Sequence, residues 1–112
     1  MKKVEAIIRP EQVSIVRKAL EEVGYPGITI TDVRGHGTQK GSVQHYRGTE
    51  FVVDILHKVK LELVVDDAAV EKITKVIIEN GRTGAVGDGK IFVSTVDQVI
   101  RVRTGESGTA AL

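Results

Sequence analysis

Lys3-Val4-Glu5-Ala6-Ile7-Ile8 and Lys60-Leu61-Glu62-Leu63-Val64-Val65 carry lysine, glutamate and aliphatic residues in the same order. Each stretch is short and strand-like in its mixture of residue types. The echo continues at the same offset: Val13, Val16, Leu20 and Gly24 stand over Val70, Ile73, Ile77 and Gly81. The aliphatic members of each set fall at helical spacing, which predicts one helix per half with a single apolar stripe. Gly24 and Gly81 fall where a helix end needs a residue tolerant of left-handed backbone. Pro10 suits the first turn of the first helix, where its missing N–H costs nothing. Asp66 and Asp67 take the corresponding place before the second, as cap or as partner of the helix dipole.

Each half then runs into another stretch rich in β-branched residues, over 28–33 and over 90–96. Strand–helix–strand twice predicts an α+β fold, the ferredoxin-like double βαβ sandwich, with two helices on one face of four strands. Within 59–65, Val59, Leu61, Leu63 and Val65 point one way, toward the helices. Lys60, Glu62 and Val64 point the other way. That second face mixes charge with aliphatics and suits either open water or a partly covered interface between copies.

A chain of 112 residues holds one domain. Sixteen Lys+Arg against fifteen Asp+Glu leave a net charge of +1, with no block of like charge at either end. This argues against a nucleic-acid backbone or an anionic membrane surface as partner. With no cysteine there is no disulfide framework, thiol nucleophile or thiolate metal site. No apolar run is long enough for a membrane-spanning helix or a signal peptide, so a soluble, cytoplasmic domain is expected. Aromatic residues make up only 4% and Trp is missing, so Val, Ile, Leu and Ala must build the core. Self-association would supplement so small a core.

Three segments stand out from this frame. The first lies between the strand ending near Val33 and the next, expected to start near Phe51. It is polar, glycine-rich and far longer than an ordinary hairpin loop of ~2–5 residues. It is either a plain flexible insertion or a functional loop, and Tyr46-Arg47 at its tip is a pair typical of binding hot spots. The second is Thr83-Gly84-Ala85-Val86-Gly87-Asp88-Gly89-Lys90. Gly84 to Lys90 meets the GxxxxGK part of a P-loop. The match fails afterwards, because Ile91 replaces the Ser/Thr and a strand replaces the helix. The segment reads as a phosphate cradle of another type or as an ordinary glycine-rich connection. The third is Arg101-Val102-Arg103: in extended chain both guanidiniums would project to one side, to grip phosphates or carboxylates or simply to face solvent. The polar 104–109 that follows is expected to fray. His36, His45 and His57 show no metal-ligand spacing, and Glu21-Glu22 and Asp66-Asp67 read as helix surface and cap. No nucleophile elbow or Ser–His–Asp arrangement is present.

Four motifs together, TDVRGHGTQKG (31–41), YRGTEFVVD (46–54), TGAVGDGKIFV (83–93) and VIRVRTGE (99–106), resemble the PII nitrogen-regulatory signal proteins, of the GlnB/GlnK type and nearer GlnK. The resemblance runs from Met1 to Leu112 without a gap. It implies a single PII-type domain over 1–112, assembled as a homotrimer. Residues of about 37–55 would be the T-loop, about 82–90 the B-loop and about 98–108 the C-terminal loop. Three clefts between subunits would each take ATP or ADP.

By the same resemblance, the nucleotide site comprises Thr29, Gly37, Thr38, Gln39, Glu62, Val64, Thr83, Gly87, Asp88, Gly89 and Lys90. Arg101 and Arg103 would join it from a neighbouring subunit. Gln39, Lys40, Gly41, Lys58 and Gly87 would bind 2-oxoglutarate, with Gln39 helping to coordinate Mg²⁺ on ATP, an oxygen-rich setting suited to a hard cation. Tyr46, Arg47, Thr49 and Phe51 would meet the partner, with Arg47 entering the cytoplasmic mouth of an ammonium transporter. The implied function is sensing of ATP/ADP and 2-oxoglutarate, with the T-loop regulating nitrogen assimilation; the protein would be cytoplasmic and reversibly recruited to the membrane. The alternatives are control of a soluble enzyme such as glutamine synthetase, or a slow ATPase, for which no water-activating base is evident.

The sequence also departs from the family pattern. Phe51 stands where many relatives carry a nucleotidylated tyrosine, and without a hydroxyl it excludes that modification. Thr38 replaces a common arginine, His36 a frequent aromatic residue and His57 a frequent proline.

Overall fold

The computed structural model describes the backbone of residues 1–36, 42–46, 49–53 and 55–112, and the side chains of 1–36 and 55–112. Strand β1 (Lys2–Ile8) leads through a 3₁₀ turn (Pro10–Gln12) into α1 (Val13–Glu22) and then β2 (Thr29–Gly35). Strands β3 (Ser42–Tyr46) and β4 (Thr49–Val53) follow. The second half is β5 (Leu56–Val65), a 3₁₀ turn (Asp67–Ala69), α2 (Val70–Gly81) and β6 (Lys90–Thr95). A last 3₁₀ turn spans Gly108–Ala111.

The main sheet has the order β2-β5-β1-β6, with every neighbouring pair antiparallel. Each helix therefore crosses over one intervening strand to reach its parallel mate, which is the ferredoxin-like arrangement. Alternation along the strands decides the faces. Val4, Ala6 and Ile8 of β1 and Val59, Leu61, Leu63 and Val65 of β5 are buried beneath the helices. Val16 and Leu20 of α1 and Ile73 and Ile77 of α2 complete this core. The helical stripes and the inward face of β5 are as the spacing predicts.

The other face of the sheet has no layer over it among the described residues. Glu5 and Glu62 lie directly opposite each other there, and each is neutralised by a lysine of its own strand. Lys3 Nζ is 2.8 Å from Glu5, and Lys60 Nζ is 3.2 Å from Glu62. The ammonium of Lys3 holds the Glu5 carboxyl below the usual range.

The structure corrects the sequence reading at several points. The third sheet strand starts at Leu56, not near Phe51. Phe51 belongs instead to β4, which pairs with β3 in a separate two-stranded sheet. Asp66 and Asp67 make no side-chain cap, and Asp67 pairs with the Met1 amine at 3.0 Å. Arg101 and Arg103 do not lie in extended chain. Gly105 N–H donates to the Arg101 carbonyl, and Ile100 bridges to Ser107, so the segment turns back on itself.

The two glycines of the echo also part ways. Gly24 closes α1 at φ +97°: its N–H donates to the Glu21 carbonyl and Tyr25 N–H to that of Leu20, a Schellman closure. Gly81 is the last residue of α2, and the following Arg82 is extended. A Cβ on Gly81 would meet Val16 Cγ2 at 3.5 Å and Ile8 Cγ2 at 3.6 Å, which is ordinary contact. Gly24→Ala is therefore expected to lower stability by about 1–2 kcal/mol. Gly81→Ala should leave stability unchanged or raise it by up to about 1 kcal/mol, through helix propensity. Urea denaturation of both variants checks this, and equal losses would contradict the different roles.

Candidate functional site

At one end of the sheet the registers bring four segments together. Ile7 of β1 lies opposite Lys90, the first residue of β6, and Val33 of β2 lies opposite Lys58 of β5. These residues share the uncovered face. Beside them is a cleft of about 650 Å³. Its walls are Ile7, Val33 and Leu56, with Phe92 farther along β6; Lys58 and Lys90 supply ammonium groups, and Gly87, Asp88 and Gly89 form the rim. Arg34, Gly35 and His36, where β2 runs toward 37–41, also line it.

The rim is the glycine-rich connection between α2 and β6. Gly87 and Gly89 both have positive φ, +100° and +98°. Gly89 is doubly constrained, because a Cβ there would collide with the Ile7 carbonyl, lying 2.7 Å from its carbon. Only glycine lets this loop cross so closely over β1. Lys90 then opens a strand, so the P-loop comparison ends there as the sequence indicates.

Asp88 organises the loop from within. Its carboxylate accepts from the Thr83 hydroxyl at 2.5 Å, from Thr83 N–H at 2.9 Å and from Gly84 N–H at 2.8 Å. Arg9 Nε donates to the same group at 2.9 Å, and Arg9 Nη2 donates to the Val86 carbonyl at 2.8 Å. These donors, the Thr83 hydroxyl foremost, then Arg9, hold the Asp88 carboxyl well below the ordinary carboxylate range. Lys58 Nζ donates to the Gly87 carbonyl at 2.7 Å. Burial, together with the nearby Arg9 guanidinium, pushes the Lys58 ammonium below its usual value. The cleft thus gathers cations while its acid is turned inward, a setting for anions.

Of the residues singled out in the sequence, Lys58, Gly87, Asp88, Gly89 and Lys90 converge on this cleft. Thr29 and Glu62 face each other across β2 and β5 on the same open side, with Val64 beyond them. Thr83 directs its hydroxyl to Asp88 and accepts from Ala85 N–H at 3.2 Å. The lining does not include Arg101 or Arg103. Arg101 instead donates to Glu106 at 3.4 Å and to the Ala110 carbonyl at 3.0 Å, and Arg103 is exposed. Gly37, Thr38, Gln39, Lys40, Gly41 and Arg47 lie outside the described residues, as do the side chains of Tyr46, Thr49 and Phe51.

Arg9 is the residue that sequence reasoning missed. The available signal was its place before Pro10, which restricts it to extended backbone, and the structure has it at φ −65°, ψ 138°. It thus prolongs the alternation of β1 and follows Ile7 onto the open face. Among the described residues no group of His, Asp or Glu is arranged to hold a metal ion, and no helix is long and apolar enough to cross a membrane.

A depressed native pKa means that the folded chain binds fewer protons at Asp88 than the unfolded chain does. The stabilisation it supplies is complete above the unfolded value of 3.8 and is lost as pH falls through the lower native one. Asp88→Asn is expected to lower the urea midpoint at pH 7, and the gap to the parent should close progressively in acid below about pH 4. A gap that persists unchanged at the acid end would contradict this account of the loop.

The chain matches the family model described as "Nitrogen regulatory protein P-II" over residues 1–106. It is 52% identical to a nitrogen regulatory protein P-II of Rhodospirillum rubrum, 53% to one of Rhizobium meliloti and 54% to one of Nostoc punctiforme. Each alignment spans 112 residues and covers the whole of both chains. With the two βαβ halves and the glycine-rich loop over the sheet end already in place, a full-length likeness at this level admits one reading: the chain belongs to the P-II nitrogen regulatory protein family.

Proposed function

We propose that this protein is a non-enzymatic sensor that binds ATP or ADP together with 2-oxoglutarate and passes the result to a partner through the segment at about 37–55. The observation that carries this reading is the composition of one cleft. Lys58, Lys90 and the glycine-rich loop line it together with Gly35, His36 and Leu56, which flank that segment on both sides. A ligand held there touches the anion-binding groups and the roots of the output segment at once.

The open face supplies the length that a nucleotide needs. Glu62 is four residues beyond Lys58 on β5, about 13 Å at strand rise. Phosphates at Lys90 and the 87–90 loop would leave the adenosine end near Thr29, Glu62 and Val64. Arg101 and Arg103 complete the phosphate end from a neighbouring subunit, so the site is finished only in a homotrimer, and the uncovered sheet face gives such an assembly its seam. The donor set at the cleft is cationic and suits phosphates and carboxylates rather than a bare cation. Mg²⁺ would therefore be held by Gln39 and by oxygens of the two effectors, where it neutralises their charge and joins them. Lys58 then pairs with the distal carboxylate of 2-oxoglutarate, with Lys40, Gly41 and Gly87 beside it. Gly37, Thr38 and Gln39 close the nucleotide end.

Ligand occupancy shifts the population of shapes of the output segment only insofar as the ligand binds those shapes unequally. Tyr46, Arg47, Thr49 and Phe51 form the contact surface, and the partner is an ammonium transporter reached from its cytoplasmic face. A cytoplasmic protein recruited reversibly to the membrane follows from this.

Calorimetric titration of ATP and ADP, each with and without 2-oxoglutarate and Mg²⁺, tests the sensing half. Lys90→Ala should weaken both nucleotides by about tenfold or more, the loss of one charge-assisted contact. Lys58→Ala should weaken 2-oxoglutarate more than ADP, and equal losses would contradict the assignment. For the output half, Arg47→Ala should abolish co-purification with the transporter-bearing membrane fraction and leave nucleotide affinity unchanged. A comparable drop in both would overturn the division between cleft and output segment.

A further inference from the structure

The connection between α2 and β6 has no regular structure, yet it forms the rim of the cleft. Apolar packing does not hold it. On the side away from the cleft, Asp88, Gly89 and Lys90 border a second hollow of about 280 Å³, floored by Ile8, Ile77 and Ile91. A loop with space on both sides keeps its shape through polar bonds or not at all. Most of those bonds converge on Asp88, Lys58 holds the Gly87 carbonyl, and Arg9 joins Asp88 to Val86. Arg9 Nε reaches the Asp88 carboxylate at 2.9 Å and its Nη2 the Val86 carbonyl at 2.8 Å, and its side chain is only 13% exposed. Asp88 in turn gathers the N–H groups of Thr83 and Gly84, so Arg9 ties the start of the loop to its end. A guanidinium is suited to this because its rigid fork delivers two donors in fixed directions; an ammonium on a flexible stem does not.

We propose that Arg9 is the positioning residue of this cleft, acting through Asp88 and Val86 to hold the loop in the shape that lets Gly87, Gly89 and Lys90 serve a bound anion. The proposal rests on the nucleotide reading given above and adds to it a residue that meets the loop rather than the ligand. Pro10 supports the arrangement from behind by fixing the backbone of Arg9.

The test compares the parent chain with Arg9→Gln, Arg9→Lys, Asp88→Asn and the double variant Arg9→Gln/Asp88→Asn. Two quantities are read: ADP affinity by calorimetry, and the ligand-free amide chemical shifts of Gly84, Gly87 and Gly89. Leu20→Ala, a core change in the last turn of α1, away from the loop, serves as the control that moves melting temperature alone. Arg9→Gln and Asp88→Asn are each expected to weaken ADP by about tenfold, as for one lost charge-assisted hydrogen bond. The double variant should be no weaker than the weaker single one, because both remove the same link. Arg9→Lys should recover little of the affinity, and it carries the comparison if Arg9→Gln fails to fold. The loop amides should shift in the same pattern in both single variants.

Losses that multiply in the double variant would overturn the proposal, since Arg9 would then act on the ligand independently of Asp88. A fall in melting temperature with ADP affinity unchanged, the behaviour of the control, would overturn it as well. A parent chain that fails to bind ADP would instead remove the function proposed above. The loop amides would then decide the role of Arg9: a shared pattern upholds it and unrelated patterns remove it.

Discussion

A carboxylate sits at the rim of a cleft that gathers lysines, and the structure depends on where that carboxylate points. Asp88 is turned into its own loop, where Thr83, Gly84 and Arg9 satisfy it. Turned the other way, it would oppose any anion in the cleft and leave the N–H groups of Thr83 and Gly84 without these partners. Turned inward, it neutralises Arg9 and folds a segment that has little apolar material of its own. The cationic character of the cleft therefore comes from the inward turn of an acid as much as from Lys58 and Lys90.

The loop can take this course only because the sheet beneath it is in one register. Ile7 lies opposite Lys90, and Gly89 passes over the Ile7 carbonyl with no room for a side chain. Sliding β6 by one residue would move Lys90 to the buried face and bring a different residue onto that carbonyl. The register is in turn fixed by the core. Val4, Ala6 and Ile8 are buried on one face of β1, and Val59, Leu61, Leu63 and Val65 on the same face of β5. The alternation that fills the core thus also places Lys58 and Lys90 together on the open side.

Legibility in the sequence follows the range of the interactions. The stripes of α1 and α2 and the inward face of β5 are periodic over a few residues, and they were readable. The Schellman closure at Gly24 is equally local, and it too was readable. Gly81 resembles it in sequence, but α2 leaves it through an extended Arg82, and no positive φ there requires a glycine. The start of β5 was misplaced because β4 shares the β-branched character of the sheet strands, and only pairing distinguishes them. Arg101 and Arg103 read as an extended pair, yet Glu106 and Ala110 pull Arg101 into a turn that no alternation pattern encodes. Arg9 and Asp88 are 79 residues apart and leave no local trace of their bond.

The two halves of the chain begin as near-copies and end differently, and the site arises from that difference. After α1 the chain closes tightly through Gly24 and goes directly to β2. After α2 it leaves through an extended Arg82 into the longer loop that Asp88 folds. Antiparallel pairing puts the finish of β1 beside the start of β5 and the start of β6, and the finish of β2 beside that same start of β5. One end of the sheet therefore collects Arg9, Lys58, Lys90 and the departure of the chain after Gly35. In the other half the equivalent turn follows Glu22 at the opposite end of the sheet, where Lys2 lies beside Val65 and Thr95, but there the chain closes through Gly24 and builds no such loop. A duplicated strand–helix–strand unit thus gives, among the described residues, a lysine-lined cleft at one end of the sheet without a copy at the other. Topology also places that cleft against Gly35, His36 and Leu56, the residues from which the long segment departs and to which it returns.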